Sequence, residues 1–252
     1  MMEVSTAPRI RGALGERVGS RVALQLAWLV GGLALSVAIP FLGSDVLELP
    51  LPLYYLLYFA LVLAFLGAYV RSTGVDVAAL VRRRWRVSLG LGLLAGAVVV
   101  TRVLTGPATP GPEGARYVFE LFWRGALYGT VDALLLTVFP CLVTLGLLGG
   151  EVAGAARKVS YVACSLALIL TITAVYHLGF EQFRRDGIGP PEIGNTVISL
   201  PMLLTINPAG SVLAHASMHV AAVTHAYETP IFLPPQASVD GRRAVSTGRL
   251  GE

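Results

Sequence analysis

Three observations predict an all-α, polytopic integral membrane protein. Hydrophobic residues make up 55% of the 252-residue chain and charged residues only 13%, where a soluble domain carries roughly 25% charged residues. The apolar residues fall into runs of about 20, the length a helix needs to cross a bilayer core. The arginines cluster beside those runs, as they do in loops on the positive side of a membrane. The expected architecture is about six transmembrane helices plus one re-entrant or interfacial segment, in one integral domain. The net charge of +4 then reports topology, argues against a nucleic-acid partner and leaves membrane lipids as expected partners.

Residues 1–21 read as a polar, basic N-terminal tail with Arg9, Arg11, Arg17 and Arg21. No cleavable signal peptide is expected, because the first apolar run is too long and lacks a small-residue cleavage site. That run, residues 22–42, is the first span, with Pro40 near its end. An acidic loop with Asp45 and Glu48 leads to the second span, residues 51–70, whose start LPLYYLLY suits an interfacial aromatic belt. Arg82, Arg83, Arg84, Trp85 and Arg86 follow, read either as a positive-side anchor or as a site for anionic headgroups. The third span, residues 87–104, carries Gly90, Gly92 and Gly96 for close helix packing, and Arg102 near its end can snorkel.

A Pro/Gly loop, residues 105–116, separates these N-terminal helices (22–105) from a second half, residues 110–226. Residues 117–148 are apolar for too long to be one straight span and too short to be two. The first part, with Glu120 and Arg124, is expected to be interfacial or partly inserted. It leads into a fourth span, residues 127–148, kinked at Pro140. Asp132 in that span reads as a group hydrogen-bonding between helices. The fifth span, residues 159–180, follows Arg157 and Lys158 and carries His177 in its last turns. Residues 195–206 are too few to cross, so this segment is the re-entrant or interfacial one. Asn207–Pro208 breaks the chain, and Pro208 opens the last span, residues 208–226, with His215 and His219. Residues 227–252 form a C-terminal tail. Cys141 and Cys164 lie in apolar runs and read as packing residues. With the N-terminus inside, only Arg116, Arg184 and Arg185 fall outside, so a cell-membrane protein with both termini cytoplasmic is expected.

Ionisable side chains in lipid are costly and therefore point to function. Glu120 and Arg124 are four residues apart and share a helix face. On the expected topology they sit at the outer end of span four, and His177 near the outer end of span five. His215 and His219 lie about 10 and about 16 Å into the last span from Pro208, at ~1.5 Å per residue. All would fall in the outer half of the membrane and line one polar cavity. His215 and His219 have the spacing of a metal clamp but lack the internal glutamate of HExxH. They are read either as such a clamp or as histidines bonded to neighbouring helices. Peptide hydrolysis without a metal or other cofactor is open to this set: Glu120 beside Arg124 as base, His177 sharing the proton, and His215 and His219 donating to the oxyanion. The alternatives are a non-enzymatic scaffold that binds lipid or a partner peptide, and a proton or metal transporter using Glu120, Asp132 and the three histidines. A transporter would ordinarily show a repeated half, and none is evident.

The order FELFWRG, then a histidine ending a span, then AHASMH resembles the CPBP superfamily, which holds the CAAX prenyl endopeptidases and the bacteriocin-processing ("Abi") integral membrane proteins. The family pattern is EExxxR, FxxxH and HxxxN. Glu120 and Arg124 match the second glutamate and the arginine, His177 the FxxxH histidine, and His215 the last histidine, with His219 in the asparagine place. The resemblance covers residues 110–226 and implies an endopeptidase acting on membrane-anchored peptides or proteins, with those five residues as its catalytic set. Three departures stand out. Phe119 replaces the first glutamate, which in the family activates water together with the FxxxH histidine. Thr173 replaces the phenylalanine, and His219 the asparagine that would help to hold an oxyanion. The lost glutamate implies either a catalytically degenerate relative or rescue by Glu120 turning inward.

Overall fold

The computed structural model describes residues 7–229, with side chains from residue 19 onward. The rest of the two expected tails, 1–6 and 230–252, lies outside the described residues. Every regular element described is helical, and the only β-type pairing is an isolated bridge between Thr109 and Ala226. Five stretches are long and apolar enough to cross a bilayer: Gly19–Val46, Leu51–Thr73, Trp85–Leu104, Gly114–Leu147 and Gly154–Leu178. The protein is a polytopic, membrane-embedded all-α bundle.

Helix α1, Ala7–Pro40, absorbs much of the expected basic tail and runs into a π-helical turn, Phe41–Val46. Helix α2, Leu51–Thr73, starts on Pro52 in its first turn and ends on Gly74, whose φ of 68° is the left-handed conformation that closes a helix. Its aromatic face, Tyr54, Tyr55, Tyr58, Phe59 and Tyr69, is buried. Association between helices in lipid relies on such packing and on hydrogen bonds. Helix α3, Val77–Arg82, is short, buries none of its residues, and is capped by Asp76, which accepts from the Ala79 N–H at 2.9 Å. Helix α4 spans Trp85–Leu104. Its outward leucines, Leu93 and Leu94, are 64% and 67% exposed, as expected of a surface facing lipid.

The long stretch Gly114–Leu147 is one continuous rod. It comprises α5 (Gly114–Glu120), α6 (Tyr128–Ala133) and α7 (Phe139–Leu147), joined by π-helical turns at Leu121–Leu127 and Leu134–Val138. The second π turn has a local cause. Pro140 lacks an N–H and its ring crowds the carbonyl four residues back, so the preceding turn widens instead of the rod breaking. Helix α8 is Gly154–Leu178, and the six-residue α9 is Glu181–Asp186.

Residues 195–206 differ from expectation. They form the second part of α10, Gly189–Thr205, which begins six residues before the apolar run because Pro190 and Pro191 fit a first helical turn. Helix α11, Ala209–His225, follows after a turn at Ile206–Asn207. Asn207 fastens that turn to the arginine-rich loop, its side-chain amide donating to the Val81 and Arg83 carbonyls at 2.7 and 2.5 Å. At its other end, α11 meets the loop after α4: His225 Nε2 lies 3.0 Å from the Gly106 carbonyl, and Thr109 N–H donates to the His225 carbonyl at 2.9 Å. Helix α11 therefore runs parallel to α4, the reverse of the expected course. Small residues permit this contact. A Cβ on Gly92 would stand 2.5 Å from the Gly210 Cα, and one on Gly96 3.5 Å from the Ala214 Cα. The 12-residue apolar run alone understates this helix, because Pro190 and Pro191 start it six residues earlier.

Candidate functional site

Helix α11 is the axis of the bundle, packed against α4, α6, α10 and the first π turn of the long rod. At ~1.5 Å per residue its 17 residues span about 26 Å, with His215 about 9 Å and His219 about 15 Å from Ala209. Both histidines thus sit near mid-length. Asp132 sits near the middle of Gly114–Leu147. Residues central in their helices share a depth whichever way the helices run, and these three converge. His215 Nε2 is 3.2 Å and His219 Nε2 3.8 Å from Asp132 Oδ2. Their residues are 3–4% exposed. The two imidazoles are parallel, with centroids 5.1 Å apart, and Tyr128 packs edge-on against His219 at 4.8 Å. Gly129 makes room: a Cβ there would meet the Ala216 Cα at 2.8 Å and His219 Cδ2 at 3.0 Å.

The other carboxylate oxygen is held from α2, where the Tyr58 hydroxyl donates to Asp132 Oδ1 at 2.6 Å. Tyr128 and Tyr176 share a hydrogen bond at 2.7 Å alongside. By contrast, Nδ1 of both histidines and Nε2 of His219 are buried without a hydrogen-bond partner among the described residues.

Asp132, His215 and His219 open onto a cavity of about 570 Å³ whose wall is mostly apolar, with Val98, Ile198 and Phe183 among its residues. His177 lines the same cavity, and its Nδ1 lies 2.8 Å from the Thr173 carbonyl. A carbonyl oxygen only accepts, so Nδ1 carries the proton and Nε2 keeps the ring's lone pair. Asn195 also lines the cavity, inside a closed network. It donates to Thr173 Oγ1 at 2.6 Å and accepts from Thr137 Oγ1 at 3.1 Å, while Thr137 also meets Ser199 Oγ at 3.1 Å.

The structure thus brings three of the five expected site residues together: His177, His215 and His219. Glu120 and Arg124 do not line that cavity. They pair with each other at 3.8 Å, and the Arg124 guanidinium covers the Tyr227 ring at 4.1 Å, tethering the chain just beyond α11. The reason is distance along the rod: Glu120 lies twelve residues, about 18 Å, before Asp132. The carboxylate beside the histidines is Asp132, read from sequence as a helix–helix hydrogen-bonding group. One signal for it was present, since of the six expected spans only the fourth carries a carboxylate. Tyr58 and Asn195 had no comparable signal: one sits in a tyrosine-rich start and the other opens a short apolar run.

Comparison with protein-family models, with curated proteins and with solved structures finds no match to this chain.

Proposed function

We propose that the chain is an intramembrane hydrolase of the endopeptidase class, a divergent relative of the CPBP proteins, in which Asp132 stands in for the missing motif glutamate. One observation carries the reading: a carboxylate and three histidines, drawn from three helices, line one mostly apolar cavity. Intramembrane ionisable groups gathered at a cavity are a functional arrangement by default. The substrates would be membrane-anchored peptides or proteins, which reach such a cavity from lipid.

In this reading His177 Nε2 takes a proton from a water molecule as the water oxygen bonds to the scissile carbonyl carbon. Asp132, in the place of the missing glutamate, accepts a hydrogen bond from that water, and His215 and His219 donate to the charge that builds on the carbonyl oxygen. The C–N bond then breaks, the amine leaves with the proton from His177, and the hydroxyl stays on the new acid. With the Arg82–Arg86 end placed on the cytoplasmic side of the cell membrane, α1 starts inside. The parallel pairing of α4 and α11 then carries Ala226 to the outside, so the termini lie on opposite faces.

The test is cleavage of a panel of membrane-anchored peptides by the purified chain in lipid nanodiscs. His177→Gln and Asp132→Asn are each expected to lower the rate by at least ~10²-fold, and Glu120→Gln to leave it within a few-fold. Wild-type rates in both of the first two variants, or no cleavage across the panel, would overturn the reading.

A further inference from the structure

We propose that Asp132, His215 and His219 form a binding site for one divalent transition-metal ion of the zinc class. The argument begins with the distances. One candidate donor atom from each residue lies within 4.8 Å of the other two. His215 Nε2 and His219 Nε2 are 3.2 and 3.8 Å from Asp132 Oδ2. Zinc bonds to imidazole nitrogen and carboxylate oxygen of ~2.0–2.2 Å set the edges of a tetrahedron at about 3.3–3.6 Å. The two observed separations straddle that range. A hydrogen bond accounts for the shorter one alone, because 3.8 Å is beyond hydrogen-bonding reach.

His219 Nε2 supplies an independent observation. It is a fully buried nitrogen aimed at a carboxylate, with no hydrogen-bond partner among the described residues. A buried polar atom left so is costly, and a shared cation satisfies it together with the carboxylate. The supporting features agree. His215 and His219 are one helical turn apart, so both rings leave α11 on one side. Tyr58 holds the second oxygen of Asp132 at 2.6 Å, which fixes the carboxylate's orientation as partners of metal ligands do. Three protein ligands at a cavity wall leave a fourth position open to water or substrate, the pattern of catalytic rather than structural zinc. Two histidines and one carboxylate suit zinc, cobalt or iron over magnesium or calcium.

Metal binding goes beyond the hydrolase reading and does not rest on it. A bound cation would add polarisation of the substrate carbonyl to what the side chains supply. The experiment reads binding without turnover. The full chain is purified in detergent, stripped with a chelator and titrated with Co²⁺ alone, then with Zn²⁺. The expected result is one equivalent of cobalt with the visible absorption of a tetrahedral site, displaced by zinc. Asp132→Asn and His219→Ala should abolish that signal, Tyr58→Phe should weaken binding ~10–100-fold, and Glu120→Gln should leave it unchanged. If a ligand variant does not fold, X-ray absorption on the wild-type cobalt form decides: two imidazole ligands support the site. No stoichiometric cobalt, a spectrum without imidazole ligands, or an unchanged signal in folded Asp132→Asn and His219→Ala would overturn it. Cleavage without metal binding would sink this proposal alone, and metal binding without cleavage would sink the hydrolase reading alone.

Discussion

Tyr58 on α2 donates to Asp132 on α6 across 2.6 Å, and by this bond α2 reaches the polar centre. Helix α2 is therefore part of the site and not only part of its scaffold. Tyr58→Phe removes the donor and leaves a buried carboxylate oxygen unsatisfied. Hydrogen bonds to charged groups contribute about 1.5–3 kcal/mol in water-soluble proteins, and those between membrane helices average nearer ~0.6 kcal/mol. A loss of about 1 kcal/mol is expected, read by reversible unfolding in mixed micelles. A loss indistinguishable from zero would mean that the link does not support the fold.

Gly129 and Gly90 make a matched pair of substitutions. A Cβ on Gly129 runs into the Ala216 Cα at 2.8 Å, so Gly129→Ala must push α11 and its histidines away from Asp132. Overpacking of this kind costs about 1–3 kcal/mol. Nothing lies within 4 Å of a Cβ on Gly90, and Gly90→Ala in the middle of a helix should be neutral or stabilise by up to ~1 kcal/mol. Thermal unfolding should come at a lower temperature for Gly129→Ala and at an unchanged or higher one for Gly90→Ala. Equal shifts would show that α11 has slack against the rod.

The Thr173–Asn195–Thr137 network predicts non-additivity. Its members are buried and bonded mainly to one another. Asn195→Leu and Thr173→Val should each destabilise by about 1 kcal/mol, and the double variant by clearly less than their sum, with a coupling of roughly 0.5 kcal/mol or more. Strict additivity in the double-mutant cycle would show that the bonds form no unit.

The course of α11 can be read from outside the membrane. With exposed Cys164 replaced by serine, single cysteines at Arg185, Arg84 and Glu228 can be labelled by an impermeant maleimide in intact cells. Glu228→Cys and Arg185→Cys should label from the same side, because the chain after α11 lies against the loop following α4, while Arg84→Cys should be protected. Joint protection of Glu228→Cys and Arg84→Cys would restore the antiparallel course expected from sequence.

The bundle was legible in the sequence wherever one physical quantity decided an element. Long apolar runs gave five spans because length against bilayer thickness is a strong constraint. It was not legible at residues 189–206, where helix length depended on Pro190 and Pro191 fitting a first turn. The site was partly legible for a related reason. His177, His215 and His219 stood out as ionisable groups in lipid, and their convergence survived an inverted α11 because two of them lie near its middle. Glu120 was placed with them by an approximate depth, and along the rod it stands about 18 Å from the level at which the histidines meet Asp132. Asp132 took that place because its partners, Tyr58, His215 and His219, come from helices 74 or more residues away in sequence. Local pattern does not encode such pairings.

The π turn at Leu121–Leu127 has a further consequence. In an ordinary α-helix, residues four apart drift by about 40° around the axis with each step. The wider turn reduces that drift between Arg124 and Tyr128, and in the α-helical segment that follows Tyr128 and Asp132 both reach His219. Which polar groups share a column is then a matter of register, not of identity. Excising one residue from the turn would restore α-helical winding yet leave Asp132 facing nearly its present direction, because a π turn is an α-helix with one residue inserted; what would change is the placement of Arg124 relative to Tyr128 and Asp132.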